Sequence, residues 1–442
     1  MSNKVVTRFA PSPTGLLHGG NYRTAVFAYL CAKKMNGSFI VRIEDTDRER
    51  SKKEYEENIV ETLQWLGLPY DTFYRQSEHH PRHTEELRRL IASGHAYVSK
   101  ETPTEPGQRA EVIRFKNPNK QVGFTDVVRG EITFDTTELG DFVIAKSESE
   151  PVFHLAVVVD DHDEGVTHVV RGEDHISNTP RQILIQEALG YATPIYAHLP
   201  LVLAPDRTKL SKRNGAKAVS QYKEEGFLPE ALINYLALLG WHPEGEQEIF
   251  TVEELIQAFD LERIQKGSGI FDETKLKWFN HEHLKRLSPL EFGVRLREFM
   301  EEHGERAPEY LIDITPELQA RAQTLAEAAE HVRTGGFAFM EPEISVDPLV
   351  LLQGAKAEGS AVKTHLQEVL ALLGSIPADT FTAEAVKEIV FPYATEVGRA
   401  AVLWPMRVAL SGKEKSPDPF TLASLLGKEK TLLRIEKAAQ ML

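Results

Sequence analysis

Two widely separated segments carry residue types suited to phosphate chemistry. Arg8–Asn21 is RFAPSPTGLLHGGN, and Lys209–Arg213 is KLSKR. The first has the form of a glycine-rich strand-to-helix turn, with His18 just before Gly19 and Gly20. Such a turn lets a ligand approach the backbone, and the helix dipole favours an anion there. The bland alternative is a tight turn with His18 as a partial helix cap. In the second segment, Lys209, Ser211 and Lys212 share a basic loop. Two point charges there could follow triphosphate oxygens as pyrophosphate leaves. An isolated KLSKR is more commonly a solvated loop, so the functional reading depends on pairing the two segments around one nucleotide.

Other residues suit a small charged substrate. Glu44 closes a strand-like run and leads into Asp45-Thr46-Asp47. A carboxylate at the carboxyl end of a strand can take an ammonium group or ribose hydroxyls, whereas Asp45 and Asp47 suit turn capping equally well. Arg8 and Arg171 offer bidentate recognition of a carboxylate, or structural ion pairs with the many acids of the chain. Asp160–Glu164 and Glu173–His175 fit no standard zinc spacing. They are expected to make ribose contacts and loop scaffolding.

The elements that must position these residues follow an α/β pattern. Val5–Ala10 and Ser38–Ile43 form expected strands around a helix from Gly20 to Met35, which Asn36-Gly37 stops. Ser51 and Glu54 form an expected capping box for the next helix, which Gly67 ends. Strand, helix, strand, helix indicates a parallel sheet. From Gly123 to Ala145 short β-runs with polar breaks indicate an insertion of different architecture, with a hairpin turn at Arg129–Glu131. The α/β pattern returns with strands expected at Leu155–Val159 and Val166–Val170, a helix over Thr179–Leu189 and a strand within Ile195–Leu203. Ligands in such doubly wound sheets sit beyond the carboxyl ends of the strands. After Glu224 the chain is largely helical. Thr315-Pro316 is expected to open a helix running to Val332, and others are expected at Ala383–Phe391, Phe420–Leu426 and Lys428–Met441.

Composition sets outer bounds. The chain has 442 residues, which suits roughly three domains. A net charge of −15 argues against a nonspecific polyanion binder, but not against a local basic face. No apolar run is long enough to span a membrane and no signal core precedes the first strand, so no membrane partner is expected. Cys31, the only cysteine, precludes an intrachain disulfide, and a cytoplasmic location is the expectation.

The ordered segments resemble bacterial glutamyl-tRNA synthetases, a family of class I aminoacyl-tRNA synthetases. The resemblance rests on Arg8–Gly15, Phe39–Asp47, Arg171–Gln182 (RGEDHISNTPRQ), Lys209–Arg213, Gly226–Leu232, Gly269–Asp272 and Pro405–Gly412, and it spans nearly the whole chain. It implies a Rossmann-type doubly wound parallel sheet, an inserted α+β module and an all-helical C-terminal region. The implied divisions are residues 1–75 and 155–223 for the catalytic halves, 76–154 for an acceptor-end module, 224–290 for a helical stem-contact region and 291–442 for anticodon binding. The implied activity is glutamate–tRNA ligation: glutamate attacks the α-phosphate of ATP, pyrophosphate leaves, and the adenylate passes glutamate to the terminal adenosine of tRNA(Glu). Whether tRNA(Gln) is also charged stays open, and a monomer is expected.

By the same resemblance, Arg8, Ser12, Glu44, Phe153 and Arg171 contact glutamate. His18, Gly20, Lys209, Ser211 and Lys212 contact ATP, with His18, Lys209 and Lys212 in the catalytic role. Magnesium is expected on the triphosphate. The signature departs at His18-Gly19-Gly20-Asn21, where the fourth position is altered. Phe153 replaces a tyrosine common in the family, removing one hydroxyl. The inserted module has no cysteine, so no structural zinc is expected. A noncatalytic tRNA-binding protein derived from a synthetase is the alternative reading, and retention of His18, Lys209 and Lys212 weighs against it.

Overall fold

The computed structural model describes residues 4–102, 109–211 and 215–442. It divides into two units, Met1–His283 and Leu284–Leu442. The first begins β1 (Val6–Phe9), α1 (Gly19–Lys34), β2 (Ser38–Ile43), α2 (Lys53–Trp65), β3 (Thr72–Arg75) and α3 (His80–Ala92). Next come β4 (Ala96–Lys100), β5 (Glu111–Phe115), β6 (Gln121–Asp126), β7 (Gly130–Asp135), β8 (Phe142–Ala145), α4 (Phe153–Asp163), β9 (His168–Gly172), α5 (Thr179–Leu189) and β10 (Ile195–Leu199). The unit continues through β11 (Val202–Leu203), α6 (Val219–Glu224), α7 (Pro229–Leu238), α8 (Val252–Ala258), β12 (Gly269–Ile270) and α9 (Glu273–Arg286), whose last residues lie past the unit boundary.

Seven strands form the main sheet in the order β3-β2-β1-β9-β10-β6-β7. All neighbours are parallel except the β6–β7 hairpin. β2 is buried along nearly its whole length, as expected of a strand covered on both faces. α1 is apolar around most of its circumference: Ala25, Val26, Phe27, Ala28, Leu30 and Ala32 are fully buried. Gly37 lets β2 start against β1, because a Cβ there would lie 2.2 Å from the Val5 carbonyl oxygen. The crevice beyond β1 and β9, strands from the two halves of the fold, is where a doubly wound sheet takes its ligand.

Several expectations are corrected. Leu155–Val159 is not a strand but the middle of α4, buried on every side. A short all-apolar run has no period that separates a core strand from a core helix. The β6–β7 hairpin does not belong to a separate architecture. It extends the main sheet through Tyr196 opposite Asp126, while β4, β5 and β8 form their own antiparallel sheet. In that smaller sheet Phe115 stacks on Phe142, the Tyr97 hydroxyl donates to Asp141, and Arg114 donates to Glu101. Pro200 divides the expected Ile195–Leu203 strand into β10 and β11. Ser51 makes no capping box: the cap of α2 is Lys52, and the Ser51 hydroxyl is buried with no hydrogen-bond partner among the described residues.

The second unit contains α10 (Pro289–Glu302), α11 (Leu311–Arg321), α12 (Leu325–Arg333), α13 (Pro348–Gln353), α14 (Gly359–Gly374), α15 (Ala383–Val397), α16 (Arg399–Ser411) and α17 (Pro419–Gln440). Thr315-Pro316 lies inside α11 and does not start it. Proline removes the N–H that would reach the Ile312 carbonyl, and the Thr315 hydroxyl donates to that carbonyl instead, at 2.7 Å. The true cap is Thr324, whose Oγ1 accepts from the Glu327 N–H and opens α12. α17 is broken at Gly427, where φ is 73°, which separates the two helical stretches expected there. It packs on α14, α15 and α16. Arg434 fastens it by donating to the carbonyls of Phe339, Leu410 and Glu341. Among the described residues no helix is long and apolar enough to cross a membrane.

Candidate active site

A cavity of about 270 Å³ opens at the carboxyl ends of β1, β2 and β9. Arg8, His18, Gly20, Glu44, Phe153, Arg171 and Lys209 all line it. Ser12 does not: it is exposed between two prolines, and its carbonyl accepts from the Thr14 N–H. Ser211 is also absent from the wall, and its carbonyl accepts from the Ala216 N–H. Lys212 lies outside the described residues.

One end of the cavity is the start of α1. His18 is its cap, with Nδ1 accepting from the Gly20 N–H at 3.1 Å. That bond fixes a neutral tautomer with its proton on Nε2. Asn21, the departure at the fourth signature position, reaches back with Oδ1 to accept from the His18 N–H at 3.2 Å, completing a capping box. Both readings of His18 place its ring at the start of α1, with Nδ1 making the cap. Gly20 leaves this approach uncluttered: a Cβ there would sit 3.0 Å from the imidazole. Across the cavity, Lys209 Nζ donates to Asp174 Oδ2 at 2.9 Å. Asp174 fits above β9 because Gly172 has no Cβ, which would lie 2.5 Å from its Oδ1.

The floor is a buried lattice of charge. Asp161 Oδ1 accepts from Arg8 Nε at 3.1 Å and pairs with Arg42 Nη2 at 2.8 Å. Arg42 also reaches Glu44 at 3.3 Å and Glu164 at 2.6 Å. Burial pushes the Asp161 pKa up, but Arg8 and Arg42 outweigh it and hold the carboxyl below its usual range. For Glu44 and Glu164 burial wins over Arg42: Glu44 is raised, and Glu164 is raised to about 7. Arg42 stands outside the sequence expectations, whereas Asp161 and Glu164 fall in the run expected to make ribose contacts and loop scaffolding. The acids of Asp160–Glu164 do not form a scaffolding loop. Asp160, Asp161 and Asp163 lie on α4, where Asp160 takes His83 and Gln76 while Asp161 faces the arginines.

Arg171 differs from the other two arginines. It is 6% exposed, and among the described residues no carboxylate pairs with it. Its Nε donates to His198 Nε2 at 3.1 Å and its Nη2 to Thr179 Oγ1 at 2.9 Å, with the Tyr196 ring beneath. Burial without a counter-ion lowers its pKa to about 10. A buried guanidinium held only by neutral groups is costly unless an anion completes it. Phe153 and His175 close the wall nearby, with ring centroids 5.9 Å apart. Burial depresses the His175 pKa to about 4, so the ring stays neutral. Among the described residues no group of three His, Cys, Asp or Glu side chains could hold a metal ion. The cavity can therefore clamp a small molecule bearing carboxylate and ammonium groups, and receive phosphate at the α1 end.

Comparisons with known proteins show the family. Residues 4–111 and 104–278 match a family model described as the catalytic domain of class I tRNA synthetases (E and Q), and residues 283–439 match one described as an anticodon binding domain. The glutamate–tRNA ligase of Aquifex aeolicus is 41% identical over the full length of both chains, and that of Nitratidesulfovibrio vulgaris is 39% identical, also over both full lengths. A crystal structure of a glutamate tRNA ligase from Elizabethkingia meningosepticum in complex with its amino acid has a TM-score of 0.81 at 31% identity, covering 99% of this chain and 100% of that one.

Proposed function

The chain belongs to the class I tRNA synthetases, as a glutamate–tRNA ligase, and from that premise we propose which of its residues carry each part of the reaction. The ligase is ATP-dependent: glutamate is activated as an adenylate and then transferred to tRNA. Arg171, buried in the pocket without a counter-ion, is the observation that carries the assignment. Its free edge takes the side-chain carboxylate of glutamate, and Arg8, held by Asp161, adds a second positive charge to that wall. Glu44 takes the ammonium group. Binding a cation there restores the charge that burial disfavours.

The α1 end takes the phosphates of ATP. Gly20 admits them to the backbone, and the Nε2 proton of His18 points the ring's donor toward developing negative charge. Lys209 exchanges Asp174 for a phosphate oxygen, and Lys212 supplies a second cation to the departing pyrophosphate. The glutamate α-carboxylate is itself the nucleophile, so positioning and electrostatic stabilisation do the catalysis and no general base is needed. Magnesium comes with ATP, held by phosphate oxygens and water.

We further propose that residues 283–439 hold the anticodon of tRNA(Glu), with tRNA(Gln) a second substrate to be tested, and that the ligase acts as a monomer. Pyrophosphate exchange with glutamate, with and without tRNA, tests the catalytic assignment. Absence of both exchange and charging would favour a tRNA-binding protein without catalysis. Charging purified tRNA(Glu) and tRNA(Gln) decides the second point.

A further inference from the structure

Arg171 and His198 are register partners on the parallel strands β9 and β10, and the next strand across is β6, which ends at Asp126. The three side chains form a chain perpendicular to the strands. Asp126 Oδ2 accepts from the His198 backbone N–H at 3.0 Å and lies 2.6 Å from its ring Nδ1. Its Oδ1 accepts from the N–H groups of Val128 and Arg129 at 2.9 and 2.8 Å. His198 Nε2 in turn accepts from Arg171 Nε. His198 is fully buried and Asp126 is 1% exposed. Neither lines the cavity.

We propose that His198 and Asp126 are positioning residues for glutamate recognition. They act through Arg171 and touch no substrate. The inference rests on the reading that Arg171 binds the glutamate carboxylate. Arg171 has five N–H donors in one plane. The bond from Nε to His198 and the bond from Nη2 to Thr179 fix that plane and leave the end-on edge turned to a ligand. A carboxylate in the place of His198 would hold the plane equally well but would neutralise the charge the ligand needs. Neutral imidazole holds it without doing so. Only one tautomer works: Nδ1 must carry the proton so that Nε2 has a lone pair for Arg171. Asp126 imposes that tautomer. Three backbone N–H groups, of Val128, Arg129 and His198, donate to its two oxygens, so it is a fixed anion facing Nδ1. The β6–β7 hairpin thus supplies a part of the amino-acid site without reaching the cavity.

Three measurements on the full chain test this. In wild-type protein at neutral pH, nitrogen-15 NMR of His198 should show a protonated Nδ1 and a bare Nε2. In kinetics, His198→Asn keeps a donor near Asp126 but removes the acceptor for Arg171. It should raise the KM for glutamate roughly tenfold, leaving the KM for ATP within about twofold. His198→Gln returns an acceptor oxygen near the Nε2 position and should recover most of that loss. An Nε2–H tautomer, an unchanged glutamate KM in His198→Asn, or glutamate and ATP values rising together would overturn the proposal. The NMR result stands even if a variant fails to fold. Arg171→Lys separates the two levels. If it leaves the glutamate KM unchanged, the reading of the pocket fails. If it raises that KM and His198→Asn does not, only the positioning role fails.

Discussion

Arg8 and Asp161 meet at 3.1 Å across 153 positions of sequence, both nearly fully buried. One oxygen of Asp161 serves Arg8 and Arg42 together, so this carboxylate sets the position of two guanidinium groups at once. Asp161→Asn removes the charge and keeps the shape. Breaking a buried pair from one side typically costs about 3–5 kcal/mol, and the retained amide oxygen should hold the loss toward the lower figure. Urea unfolding should show that loss, and glutamate KM should rise with it. A variant as stable as wild type would mean the two arginines find other partners.

Arg171→Ala should act mainly on glutamate. Truncating one member of a buried charge-assisted contact costs about 2–5 kcal/mol, so kcat/KM for glutamate should fall by a factor of roughly 30 to 5,000, with ATP affinity little changed. Steady-state kinetics with each substrate varied in turn gives the answer. Equal losses for both substrates would remove Arg171 from the glutamate pocket.

His18 allows the cap and the chemistry to be separated. His18→Asn places an oxygen where Nδ1 now accepts from Gly20, and loses the Nε2 donor. Thermal stability should stay within about 0.5 kcal/mol of wild type, whereas pyrophosphate exchange should drop by a factor of about 10²–10³. His18→Ala should lose both, with about 1 kcal/mol of stability gone. If the asparagine variant exchanges pyrophosphate at the wild-type rate, His18 is a helix cap and nothing more.

Glu164 gives the fold a testable pH signature. Its side chain is 1% exposed, Oε1 has no hydrogen-bond partner among the described residues, and burial raises the pKa to about 7 in spite of Arg42. In the unfolded chain the group titrates near 4.5. Between those values the folded state binds the extra proton, so this group's contribution is fully present below pH 4.5 and is lost as the pH rises through 7. Glu164→Gln mimics the protonated form. Its stability relative to wild type should therefore improve by up to roughly 3 kcal/mol between pH 5 and pH 8. Urea titrations of both proteins across that range measure the difference, in which the other titrating groups largely cancel. Parallel curves would show that Arg42 keeps Glu164 ionised throughout.

Lys212→Ala should reduce adenylate formation far more than tRNA binding. Pyrophosphate exchange and a tRNA binding assay on the same preparation compare the two, and equal losses would contradict its assignment to the departing pyrophosphate.

Legibility from sequence followed the range of the interactions. The turn at His18, the carboxylate at Glu44 and the basic loop at Lys209 were visible because short segments carry their meaning. The parallel sheet was visible in the alternation of strand and helix up to Gly67. Leu155–Val159 has the pattern of a strand and the structure of a helix, because core strands and core helices both present unbroken apolar runs and only tertiary burial distinguishes them. The role of Asp161, and His198 and Asp126 altogether, escape a reading of the sequence for another reason. Each matters through a partner 27 to 153 residues away, and nothing adjacent in the chain marks it. The only local hint was a histidine in an otherwise apolar strand, Ile195–Leu199, which finds an internal partner when buried. Thr315-Pro316 misled because its local signal was genuine: the pair has the form of a helix start, and a side-chain hydroxyl lets it sit mid-helix instead.

The pairing of β6 with β10 limits how this enzyme can be trimmed or recombined. Residues 76–154 resemble a cassette that could be exchanged between relatives, but a cut at those ends would strip β10 of its neighbour and bare a row of backbone donors and acceptors ready to recruit other chains. A graft that respects the hydrogen-bonding would leave Gln121–Asp135 in place and replace only the small sheet of β4, β5 and β8 on either side of it.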